Sequence, residues 1–225
     1  IARIPESETL GLFSKKNSQS KIEKISKKRN TKLLDEDPLD TNTKINSNNN
    51  IVIDTKYTGL SSEEKIAKIS HILSEDEALY LTDIDEVSYL FNMRNFSQNY
   101  SAKIKAKAVI LKDNAILFTE DKMHSLKTFL ESSTKKFQID KNTINGYDYR
   151  IIAVKAIEMT TNPVQKMKAQ KNEAELEHLK YAFAKTDKAV NAIREYIDSN
   201  DNISEFDIAI QLAKEFKNNG ALGLS

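Results

Sequence analysis

Apolar positions recur at helical or strand spacing only from about residue 51 onward. Ile51, Val52 and Ile53 form a short apolar run that leads to Gly59. Ser61 then opens a predicted helix. Glu64, three residues on, completes a capping box, in which each side chain satisfies a free backbone N–H at the helix start. Ile66, Ile69 and Leu73 share one face of that helix. ALYLT at 78–82 reads as a buried strand, and Asp83 with Glu86 repeats the capping pattern before a stripe of Ile84, Val87, Leu90 and Phe91. IKAKAVIL at 104–111 and AILFT at 115–119 flank Asp113-Asn114 and predict a hairpin. A helix is expected over 123–130, a turn at Asn145-Gly146 and a further strand at YRIIAV, 149–154. Strands alternating with helices indicate an α/β layer fold. Its expected core holds Ile66, Ile69, Leu79, Leu81, Val87, Leu90, Val109, Leu111, Ile116, Phe118, Ile151 and Val154.

The pattern changes near Pro163. Asn172 caps a long helix, with Glu175 at its third position. Leu176, Leu179, Phe183, Thr186, Val190, Ile193 and Ile197 alternate spacings of three and four, the stripe of a helix laid on a sheet. A coiled-coil seam is the other reading, for which Phe183 and Thr186 are poor residues. Ser204 and Asp207 open a second helix that carries Phe206, Ala209, Ala213 and Phe216 and ends at Gly220. Residues 1–50 show no such period. A basic stretch from Lys15 to Arg29, the acids Asp35, Glu36 and Asp37, and a polar tract from Thr41 to Asn50 predict a disordered polar tail.

Charged residues make up 30% of the 225 and the formal net charge is +1, so no global field draws nucleic acid or an anionic membrane. No apolar run approaches the roughly 18 residues of a membrane span, and no signal peptide is visible. With no cysteine, disulfide and thiolate chemistry are excluded, which fits a cytoplasmic setting. The five glycines include no closely spaced set that could cradle a phosphate.

Hydrolytic metal centres need converging His, Asp and Glu ligands. His71, His124 and His178 lie far apart, and none has a histidine partner four residues on. Glu175 and His178 have the i, i+3 spacing that carboxylate-bridged bundles use, but the second such pair needed there is missing. Asp83, Asp85 and Glu86 sit where acids complement a helix start. The residues alone assign no catalytic, cofactor-binding or metal-binding side chain.

Four strings resemble three-domain Xaa-Pro aminopeptidases of the creatinase, or pita-bread, metallopeptidase family. KYTGLSSEEKIAKI at 56–69 resembles the entry to the middle domain. LYLTDIDEVSYLFNMR at 79–94 is similar to a strand–helix segment ending in Asn-hydrophobic-Arg. PVQKMKAQKNEAELEHLKYAFAKTDKAV at 163–190 resembles the start of the catalytic domain, and NNGALGLS at 218–225 its approach to the first catalytic strands. The resemblance implies a creatinase N-terminal-like mixed sheet with flanking helices over 51–162. It implies a two-helix start of a truncated pita-bread domain over 163–225. In the family, two metal ions, usually manganese, are held by two Asp, one His and two Glu, and activate water to cleave the bond before proline. No residue of this sequence matches those ligands, so the expectation is a chain without a metal site and inactive alone. Its expected partners are the missing downstream catalytic segment, or a second copy through exposed helices. Family substrates are peptides with proline at the second position. The alternative is a stand-alone, non-catalytic protein-binding module.

The sequence departs from the family in three places. The Trp-Arg-Pro linker signature is absent, NFSQNYSAK at 95–103 replaces a proline-containing strand entry, and Phe183 stands where the family commonly has His.

Overall fold

A computed structural model describes residues 5, 7–38, 49–97 and 101–221. The last four residues of the 218–225 string and most of the Thr41–Asn50 tract lie outside them. Five strands form the central mixed sheet: β4 (Glu77–Leu81), β6 (Ala106–Ile110), β7 (Ala115–Thr119), β8 (Lys136–Ile139) and β9 (Ala156–Glu158), in the order β7-β6-β4-β8-β9. β6 and β7 are the expected antiparallel hairpin, and β6 also runs antiparallel to β4. β8 lies parallel to β4, and β9 parallel to β8. β4 is buried along nearly its whole length because both of its faces are covered.

On one face, α3 (Ser62–Ser70), α4 (Ile84–Leu90) and α7 (Pro163–Ala169) enclose a core of Ile69, Leu79, Leu81, Val87, Leu90 and Val164. On the other, α5 (Met123–Ser132) and α6 (Gly146–Ile152) enclose Tyr80, Val109, Phe118, Leu126, Phe137 and Ile152. Of the expected core, Ile66, Leu111, Ile116 and Ile151 are only partly buried. Val154 is a correction: it is 97% exposed. The strand expected over 149–154 is the end of α6 followed by a single 3-10 turn at Ala153–Lys155. Asn145 does not simply turn the chain. Its side chain accepts from the Asp148 N–H at 2.8 Å and caps α6. The strand begins only at Ala156.

The disordered tail is the second correction. β1 (Leu10–Phe13) and β2 (Thr31–Leu34) pair in parallel around α1 (Gln19–Ser26). This unit buries little, chiefly Leu12 and Ile22, which is why no apolar period announces it. It is held by groups distant in sequence. Gln19 N–H donates to Ile144 O at 2.8 Å, Ser20 N–H to Lys141 O at 2.9 Å and Tyr147 N–H to Ser14 O at 3.2 Å. Asp35 pairs with Arg150 and accepts from Ser14 Oγ at 2.7 Å.

A short two-stranded ribbon, β3 (Ile51–Val52) with β5 (Met93–Arg94), and α2 (Thr55–Thr58) lead into α3. The long helix α8 (Glu173–Asp198) packs against α2 and α9 (Glu205–Asn218), not on the sheet as its stripe suggested. The chain reverses after α8, and Gly220 comes back beside the Lys185 side chain. α9 therefore covers the C-terminal half of α8, where Ile193 is buried.

Candidate functional site

Two polar constellations and one exposed face stand out. The first is centred on Lys65, which shares a face of α3 with Ile69 and is 1% exposed. Its Nζ donates to Asn92 Oδ1 at 2.6 Å and Tyr89 O at 3.1 Å, and lies 3.8 Å from the Tyr89 ring centre. Burial pulls its pKa from 10.5 to about 8; Glu175 opposes this and Arg94 adds to it. Asn92 adopts a positive φ of 51° at the end of α4, a conformation Asn tolerates. Its Nδ2 donates to Leu60 O at 2.8 Å and Thr58 Oγ1 at 3.2 Å. Thr58 O in turn accepts from Asn172 Nδ2 at 2.8 Å, and Asn172 is the cap of α8. Arg94 Nη1 donates to Ser88 O and Met93 O, both at 2.9 Å. The Asn-hydrophobic-Arg string thus ties α4 to α3, and through Thr58 to the start of α8.

The acids and histidines weighed as ligands are used elsewhere. Glu175 completes the capping box with Asn172, and His178 rests on Tyr57 with ring centres 5.0 Å apart. Asp83 caps α4 through Asp85 N–H at 2.7 Å, and Asp85 meets Lys103 at 2.8 Å and Lys168 at 3.5 Å. Glu86 does not complete the box. It turns inward, 2% exposed, and its Oε1 accepts from Gln165 Nε2 at 2.7 Å and Asn162 Nδ2 at 2.9 Å. Desolvation raises its pKa. Among the described residues, no group of three or more His, Cys, Asp or Glu could hold a metal ion. The family's ligand set does not fit on them.

The second constellation lies beyond the C-terminal end of β4. A cavity of about 530 Å³ opens between β6, α5 and α6. Tyr80 Oη donates to Asp148 Oδ2 at 2.8 Å, and Lys107 pairs with the same carboxylate. Burial and the Asp148 charge push the Tyr80 phenol well up. Sequence reading missed Lys65 and Asp148, and took the inward-turned Glu86 for a helix cap. Lys65 left a signal, a lysine on the same helix face as Ile69; Asp148 left none.

Residues 41–133 match the Creatinase/Prolidase N-terminal domain. That stretch is similar to a creatinase N-terminal domain. Around and beyond that domain, the chain is 25% identical over 200 residues to an uncharacterized peptidase of Schizosaccharomyces pombe, covering 78% of this chain and 33% of that protein. It is 31% identical over 98 residues to a probable Xaa-Pro aminopeptidase P of Coprinopsis cinerea, 43% of this chain and 15% of that one. The chain spans no more than about a third of these curated relatives. In fold it matches the X-prolyl aminopeptidase of Caenorhabditis elegans, a cytosolic enzyme with a di-nuclear active site. The TM-score is 0.78 at 15% identity, over 95% of this chain and 42% of that enzyme. An Xaa-Pro dipeptidase from Bacillus anthracis matches with a TM-score of 0.53 at 18% identity, over 72% of this chain and 51% of that one. In sequence and in fold the chain is thus similar to part of these peptidases. The creatinase N-terminal domain match spans both the Lys65–Asn92 hub and the β6–β7 hairpin.

Proposed function

We propose that this chain supplies the middle domain and the leading catalytic-domain helices of an Xaa-Pro aminopeptidase-like metallopeptidase, in the cytoplasm, and does not turn over substrate alone. The family reaction releases an N-terminal residue that precedes proline. The observation that carries this reading is the match over 95% of the chain to 42% of the X-prolyl aminopeptidase fold. The exposed face of α8 and α9 supports it, because it offers apolar area to a catalytic segment. On this reading the domain boundary lies near Pro163. There Asn162 caps α7 while bonded to Glu86 of the middle domain.

The role of the chain is then positional. The Lys65–Asn92–Thr58–Asn172 chain of hydrogen bonds fixes where α8 leaves the middle domain. The two metal ions, usually manganese, would supply the hydrolytic water, and no ligand for them is assigned here. The test is an assay of the purified chain with manganese and an Xaa-Pro peptide, alone and with the metal-binding segment of a related aminopeptidase added. No release by the chain alone, and binding of the added segment, are expected. Metal-dependent release by the chain alone would overturn the reading.

A further inference from the structure

We propose that the cavity beyond β4 binds a small amphipathic anion, an anionic head on an apolar chain or ring. Its volume of about 530 Å³ lies within the roughly 300–1,000 Å³ usual for small-molecule sites. The apolar part of the lining comes from Ile84, Met123, Leu126, Leu130 and Ile151. Leu126 and Leu130 are buried, so this floor belongs to the packed core and stays in place without a ligand. The rim is cationic: Lys15, Lys105, Lys107 and Lys127 face only two lining carboxylates, Glu120 and Asp148.

The pairing of those lysines decides where an anion would sit. Lys107 is committed to Asp148, which is 5% exposed and also receives Tyr80. Lys127 reaches Glu131 one turn along α5 at 3.7 Å, and Lys105 reaches Glu120 at 3.2 Å. Both pairs are exposed enough to be weak. Lys15 lies 5.0 Å from the Tyr147 ring centre, and its charge also acts on Asp35, which Ser14 and Arg150 already hold. A head group between Lys15 and Lys105 would meet the excess of lysines over carboxylates in the lining, while its tail lies along Ile84, Met123 and Ile151, which rest on the buried leucines. Lys15 comes from the β1–α1–β2 unit, so that unit completes the site. None of this depends on the peptidase reading.

Titration calorimetry of the full chain with decanoate, decyl phosphate and decanol tests the proposal. Decanoate or decyl phosphate should bind, and decanol at least tenfold more weakly. Stronger binding of the phosphate than of the carboxylate, or the reverse, identifies which head the rim prefers. The double variant Lys15→Gln/Lys105→Gln, with an unchanged circular dichroism spectrum, should weaken anion binding tenfold or more. Phe183→Ser/Phe206→Ser, which alters only the exposed helix face, should leave it unchanged. No binding at millimolar anion would overturn the proposal. So would equal binding of decanol, or loss of binding in the phenylalanine variant with none in the lysine variant.

Discussion

At the scale of single residues, two buried ionisable groups set opposite pH dependences. The Lys65 pKa falls from 10.5 to about 8 on folding. Between those values the unfolded chain holds the extra proton, so stability rises with pH across that interval. Urea unfolding at about pH 7.5 and about pH 9.5 should show this gain, and Lys65→Met should lack it. Glu86 is the converse case. Burial raises its pKa, so the folded chain holds a proton longer and loses stability as pH climbs past about 4.5. Glu86→Gln keeps an acceptor for Asn162 and Gln165 but carries no charge. Its melting temperature should gain on the wild type as pH rises from about 4.5 to about 7.5, and a constant gap would refute this. Gly59 is fixed by geometry. Its φ is +68° and a Cβ there would overlap the Asn172 side chain. Gly59→Ala should cost about 1–3 kcal/mol in denaturant unfolding, through left-handed strain and a displaced helix cap.

At the scale of elements, legibility followed the kind of signal. Capping boxes at Ser61, Asn172 and Ser204 were readable because the bonded partners sit three residues apart, and all three form. The β6–β7 hairpin was readable for the same reason of locality. Residues 149–154 misled because Ile151 and Ile152 look like a strand, whereas Asn145 and Asp148 had already started a helix. β8, with only Phe137 and Ile139 facing inward, was too short to register by period. The β1–α1–β2 unit was illegible because it is held by Lys141, Ile144 and Tyr147, more than a hundred residues away. Its docking turns on Gly146, where a Cβ would overlap the buried Ile22 side chain. Gly146→Val should loosen the unit, so that trypsin cuts among Lys21, Lys24 and Lys27 sooner while the five-stranded sheet keeps its amide protection. Unchanged cleavage would show that the backbone bonds alone hold the unit in place.

At the scale of the whole molecule, the two helices α8 and α9 make a hairpin that satisfies only part of their apolar surface. Phe183 is 65% exposed and Phe206 74%, and Leu176, Leu179, Tyr181 and Ile210 are exposed as well. Ile193, on the same stripe as Phe183, is buried because α9 folds back over it. The uncovered stretch is the N-terminal half of α8, before the point where Gly220 meets Lys185. Burying a Leu, Ile or Phe contributes roughly 1.5–3 kcal/mol. Several such side chains left in water forgo an amount comparable with a domain's whole net stability of about 5–15 kcal/mol. A catalytic segment or a second copy would recover it. In the absence of such a segment, the chain should self-associate with rising concentration in sedimentation velocity, and should bind a hydrophobic dye. Phe183→Ser/Phe206→Ser should shift the population toward monomer and lower the dye signal, with no loss of helix content. A wild-type chain that stays monomeric and dark with dye would remove the argument that this face is built to be covered.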